Sequence, residues 1–81
     1  MHHVKSEPVH MERRRHAFLP DAFVWRGHRY DVRCVERSWT LARSSGNRRI
    51  ERRYFRVRCD QGCFDLYHDL LANTWCIDTG G

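Results

Sequence analysis

Five arginines and two tyrosines are the side chains of this 81-residue chain best suited to hold a partner. Arg26 and Arg29 flank Gly27-His28, while Arg33, Arg56 and Arg58 share one strand parity with Tyr54 and Tyr67 among them. A planar guanidinium suits phosphates, carboxylates and stacked rings. A sheet face mixing Arg with exposed Tyr is the chemistry of single-strand platforms, where cations hold phosphates and rings stack on bases. It is equally the chemistry of a protein-interface hot spot. Both readings stand on the sequence.

Charge supports a polyanionic or acidic partner. Of 15 basic residues, 14 are Arg, and Lys5 is the only Lys. Residues 1–59 carry every basic group and a net +9, whereas residues 60–81 carry four Asp and a net −4. The bland alternative is a solvated surface with Arg–Asp pairs inside the molecule.

Other chemistry fits poorly. Asp65 and Asp69 stand about 13 Å apart along an extended strand, too far to share a proton. Cys63 and His68 have opposite parity, and Asp65 is better matched to Arg58 across a hairpin. No catalytic residue and no enzyme activity are expected. Structural zinc favours closely paired Cys-x-x-Cys knuckles. Cys59 and Cys63 form the only close pair, and the expected register sends them to opposite faces, so free thiols are expected and no metal or cofactor. A set from Cys34, Cys59, Cys76 and His68 would serve only a less favoured, zinc-stabilised regulator.

The elements that position these residues read as strands. Ten aromatic residues compensate for the thin core of so short a chain. Val9 and Met11 alternate with His10 and Glu12 after Pro8, as in an edge strand. The charged run Glu12–His16 reads as exposed, with room for a short helical turn, and Pro20-Asp21 as a turn. Gly27-His28 suits a type II′ hairpin that sets Arg26 against Arg29, Trp25 against Tyr30 and Phe23 against Val32. Beyond Val32 the alternation breaks, and a bulge near Arg33–Val35 would restore it. Residues 43–53, with five Arg around Ser44-Ser45-Gly46-Asn47, read as an exposed loop. A turn at Gln61-Gly62 would set Val57 against Leu66, Phe55 against His68, Arg58 against Asp65 and Arg56 against Tyr67. Asn73 then turns the chain into a last strand, Thr74 to Asp78.

The expected fold is mainly β: one domain over residues 1–81, an antiparallel meander of about six strands, curled into a strongly twisted sheet or small open barrel. Residues 1–7 and 79–81 are expected to be flexible. Phe23, Trp25, Tyr30, Val32, Phe55, Val57, Leu66, Trp75 and Ile77 should form the core. No run of about 18 apolar residues suggests a membrane span. No apolar stretch behind the N-terminus suggests a secretory signal, so the expected compartment is the cytoplasm.

Three segments carry a resemblance: Phe23-x-Trp25-Arg26-Gly27-x-Arg29-Tyr30-x-Val32, Arg53-Tyr54-Phe55-Arg56-Val57, and Phe64-Asp65-Leu66-Tyr67-x-Asp69 followed by Trp75. The pattern, spanning roughly Pro8 to Asp78, resembles a family of small bacterial domains without an assigned biochemical function. Its members are found fused to, or encoded beside, translesion-type DNA polymerase-like proteins of mutagenesis cassettes. The cysteines and the Arg-rich 43–53 segment are not part of that pattern. The resemblance implies a DNA-repair setting and an accessory role, and brings no catalytic residues. The expected function is a non-enzymatic module contacting single-stranded or junction DNA through Arg26, Arg29, Arg33, Arg56, Arg58, Tyr54 and Tyr67. The alternative is a protein-interaction module that docks a polymerase-like partner.

Overall fold

Period-two alternation of apolar residues marks most of the strands, and the computed structural model describes residues 6–79. Six antiparallel strands follow in chain order: β1 (Ser6–Arg15), β2 (Leu19–Trp25), β3 (His28–Ser45), β4 (Arg48–Cys59), β5 (Gly62–Asp69) and β6 (Thr74–Asp78). The meander closes into a small barrel because β1 also pairs with β6, from Ser6↔Asp78 to Val9↔Trp75. The strand carrying Val9 and Met11 therefore has neighbours on both sides.

Two long strands turn the barrel's corners. The first part of β1 pairs with β6 and the remainder with β2. Likewise β3 pairs with β2 up to Asp31 and with β4 from Val32 onward. Bends of this kind need bulges, in which one residue is left over in the ladder and the strand twists more sharply. The registers leave over Glu12 and Asp21 between β1 and β2, and Arg33 and Glu36 between β3 and β4. All four are charged, and all four hold ion pairs: Glu12 with Arg29, Asp21 with Arg13 and Arg15, Arg33 with Asp60, and Glu36 with Arg58. The Arg33 bulge lies where the broken alternation requires one. The Glu36 bulge was not foreseen.

Both tight-turn registers differ from expectation by two residues. The first turn is Arg26-Gly27, with φ of +52° and +78°, the signs of a type I′ turn. It sets Phe23 against Tyr30 and Trp25 against His28. The second turn is Asp60-Gln61, so Phe55 opposes Leu66, Val57 opposes Phe64, Arg56 opposes Asp65 and Arg58 opposes Cys63. A shift of two preserves the face of every side chain, so the alternation pattern is blind to it. Contacts decide instead: the Phe23 and Tyr30 rings stack 5.1 Å apart at 10°.

Two segments read as connections are strand. Pro20-Asp21 lies inside β2, and the turn falls at His16–Phe18, where His16 and Ala17 take positive φ. Residues 43–53 are no loop. They form the far end of the β3–β4 hairpin around Gly46-Asn47, paired from Ser45↔Arg48 inward. Asn73, at φ +55°, does turn the chain into β6.

The core fills the barrel with Phe23, Val32, Phe55, Val57, Cys59, Leu66, Trp75 and Ile77. Of the expected core, Trp25 and Tyr30 are only half-buried and pack against it. Ala22, Cys59 and Tyr67 are buried beyond expectation. Ser6 and Glu7, expected to be flexible, belong to β1. Residues 1–5, 80 and 81 of the expected flexible ends lie outside the described residues. The described residues contain no helix long and apolar enough to cross a membrane.

Candidate functional site

Every one of the five candidate arginines is matched to a carboxylate. Arg26, in the β2–β3 turn, binds Glu7 through two nitrogens, its Nε at 2.9 Å, and its guanidinium lies 4.7 Å from the centre of the Trp25 ring. The Trp25 indole N–H donates to the same Glu7 at 3.2 Å. Arg29 meets Glu12 at 3.1 Å and Asp31 at 3.4 Å. Arg33 holds Asp60 in a two-point fork at 3.0 and 2.7 Å. Arg56, and not Arg58, takes Asp65, at 2.9 and 3.2 Å. Arg58 pairs with Glu36, which also accepts the Cys63 thiol at 3.5 Å. Arg26 and Arg29 do not oppose each other, because Arg26 sits in the turn and Arg29 faces Val24.

Three carboxyls are held below their ordinary values by arginine. Hydrogen bonds from Arg26 hold Glu7 below the ordinary glutamate value, those from Arg13 and Arg15 lower Asp21, and those from Arg33 lower Asp60. Local charge at the candidate arginines is thereby largely balanced.

Unbalanced charge lies elsewhere. Among the described residues, Arg14, Arg37, Arg43, Arg48, Arg52 and Arg53 have no ion pair. All but Arg14 belong to the β3–β4 hairpin. The register sets Arg37 against Arg56, Trp39 against Tyr54, Leu41 against Arg52, Arg43 against Ile50 and Ser45 against Arg48. Directly paired residues share a side, so one side of the hairpin collects Arg37, Arg43, Arg48 and Arg52 with Trp39 and Tyr54. The core residue Phe55 belongs to the other side, which identifies the arginine side as the outer one.

Three rings run across this outer side. Trp39 stacks on Tyr54 at 5.2 Å and 4°, and Tyr54 meets Tyr67 of β5 at 5.1 Å and 41°. A guanidinium stands by each end of the row: Arg37 lies 5.2 Å from the Trp39 ring centre and Arg52 lies 4.5 Å from that of Tyr67. Arg52 also donates to the Tyr54 hydroxyl at 3.3 Å, while its Nε is buried with no partner among the described residues. Tyr67 differs from expectation, because it is buried under these neighbours and donates to Ser6 Oγ at 3.1 Å. Tyr54 and Trp39 are half-exposed.

The structure thus joins Tyr54, Tyr67, Arg56 and Arg58 on one face, and leaves Arg26 in the β2–β3 turn and Arg29 on β3 opposite Val24. Trp39, Arg37, Arg43, Arg48 and Arg52 were missed by sequence reasoning. The Arg-rich composition of residues 43–53 was a visible signal, and reading that stretch as a loop hid its single-sided arrangement. A second bulge is needed to bring Trp39 outward, and the sequence carries no clear mark of it.

Elsewhere, a shallow cleft of about 680 Å³ has Trp25, Phe64, Glu36 and the Arg56–Asp65 pair in its walls. All four cysteines are free thiols; Cys59 is buried while Cys34 and Cys63 are exposed. Among the described residues no three His, Cys, Asp or Glu side chains gather as metal ligands would.

Neither a curated protein nor a solved structure matches the chain. Residues 1–77 match a family described as a domain of unknown function, DUF6504. With nearly its whole length covered by that match, the chain belongs to the DUF6504 family.

Proposed function

We propose that this domain is a non-enzymatic binding module that contacts nucleic acid, single-stranded or at a junction, through the outer side of the β3–β4 hairpin. One observation carries the reading: among the described residues Arg37, Arg43, Arg48 and Arg52 hold no carboxylate, and they share a side with the Trp39–Tyr54 stack. Unpaired guanidiniums supply the phosphate contacts, and half-exposed rings supply surfaces for unstacked bases. Arg56 and Arg58 lie on the same side, and Tyr67 ends the ring row. The resemblance to domains encoded beside translesion-type polymerases supports a place in bacterial DNA repair, in the cytoplasm.

A second reading, docking of a polymerase-like protein, uses Arg26, Arg29, Arg33, Arg56 and Arg58, whose own carboxylates an acidic partner surface would have to replace. Fluorescence anisotropy with labelled single-stranded DNA at low and physiological salt tests the two. Nucleic-acid binding is expected to weaken steeply with salt and to fall in Arg37→Ala and Trp39→Ala, with little change in an Arg26→Ala/Arg29→Ala double variant. Absence of saturable binding at either salt, together with capture of a polymerase-like protein that the Arg26/Arg29 variant loses, selects docking instead.

A further inference from the structure

The β3–β4 hairpin outruns the barrel that supports it. On one edge, β5 accompanies β4 only as far as Arg52↔Asp69; on the other, β2 leaves β3 at Asp31. A single further backbone bond, Leu70 N–H to Glu51 carbonyl at 2.9 Å, fastens the base. From there Ala42–Ser45 and Arg48–Glu51 form a ribbon of four residue pairs with no further strand on either edge among the described residues. At 3.3–3.4 Å per residue the ribbon spans about 13 Å.

A bare two-stranded ribbon is marginal in water and offers its edges to other strands. Charge argues against a second copy as the occupant. Arg43, Arg48 and Arg49 crowd the ribbon, and of these only Arg49 has a carboxylate among the described residues, Glu51. Two such ribbons would repel each other. A polyanion suits them, and a two-stranded ribbon fits the major groove of duplex DNA, about 12 Å wide.

From this juxtaposition we propose that the ribbon enters a duplex groove while the Trp39–Tyr54 stack at its base takes an unpaired base, so that the preferred ligand is a duplex with a single-stranded tail. This deepens the nucleic-acid reading and rests on it. Arg43 and Arg48 act there as phosphate contacts, and the Ser44-Ser45-Gly46-Asn47 tip supplies small polar groups to the groove.

The test uses the full chain and three labelled DNAs: a tailed duplex, the blunt duplex and the single strand alone. The tailed duplex is expected to bind tightest. Arg43→Ala/Arg48→Ala should flatten the salt slope for both duplex ligands by about two units, since each phosphate contact contributes nearly one, and flatten the single-strand slope clearly less, because Arg37 and Arg52 beside the rings remain. Arg43→Lys/Arg48→Lys should retain most of the slope, and circular dichroism should show every variant folded. If the tailed duplex binds no better than the single strand, or the double alanine variant lowers all three slopes alike, the groove-entering ribbon is wrong while the single-strand reading stands. If none of the DNAs binds and a protein partner does, both are wrong.

Discussion

Trp39 and Tyr54 lie face to face across the β3–β4 ladder, 5.2 Å apart and 4° from parallel, on the outside of the barrel. Stacked pairs contribute about 0.5–1.5 kcal/mol beyond the area they bury. Trp39→Ala is therefore expected to lower stability by about 1 kcal/mol in denaturant titration and still leave a folded domain. Its larger effect should be on single-strand binding, read by anisotropy. A variant that binds as tightly as the parent removes the ring row from the interface.

Core truncations should separate Trp75 from Trp25. Trp75 is 7% exposed and stacks on Phe55 at 5.7 Å. Trp75→Ala is expected to cost about 3–5 kcal/mol, enough to unfold a marginal domain. Half-buried Trp25 should cost clearly less, because it loses only part of its packing and the bond to Glu7. Equal losses on thermal unfolding would contradict this division.

Gly27 tests the type I′ turn. Its φ is +78°, and an added Cβ would meet nothing within 4 Å. Gly27→Ala is expected to destabilise by about 1–2 kcal/mol through backbone strain alone. No change in the urea midpoint would count against the turn assignment.

Burial pushes the Cys59 thiol up to about 11. With the folded value above the unfolded one, its contribution is present below the ordinary thiol range and lost as pH rises through about 11. Melting temperature should therefore drop between mildly and strongly alkaline pH, and Cys59→Ser should flatten that drop. Cys34 and Cys63, both exposed, should be alkylated in the native state, with Cys59 reacting only on unfolding. Rapid native labelling of Cys59, read by peptide mass, would count against its burial.

On the acid side the sign reverses. Glu7, Asp21 and Asp60 have lowered folded values because of hydrogen bonds from arginine. Their contribution is present above the ordinary carboxyl range and is lost as pH falls through the depressed values. Glu7→Gln should shrink the acid loss of melting temperature. An unchanged acid profile would mean that the Glu7–Arg26 pair adds nothing in solution.

Alternation alone determined which side most residues take. Phe23, Val32, Phe55, Val57, Leu66 and Ile77 are inside, and Tyr54, Arg56 and Arg58 are outside, because the period-two pattern survives a register error of two. The broken phase after Val32 also marked the bulge at Arg33. Partners were another matter. Phe23–Tyr30 and Arg56–Asp65 depend on which of two same-parity registers packs better, and the alternation pattern does not distinguish them; Arg58–Glu36 depends on the bulge that places Glu36 beside β4. The Glu36 bulge turned Trp39 outward onto Tyr54, and pairing of Ser6–Val9 with β6 closed the barrel. Which arginines keep their charge unmatched was decided last. Carboxylates reach only those guanidiniums that closure brings near, and the projecting end of the β3–β4 hairpin lies beyond most of them.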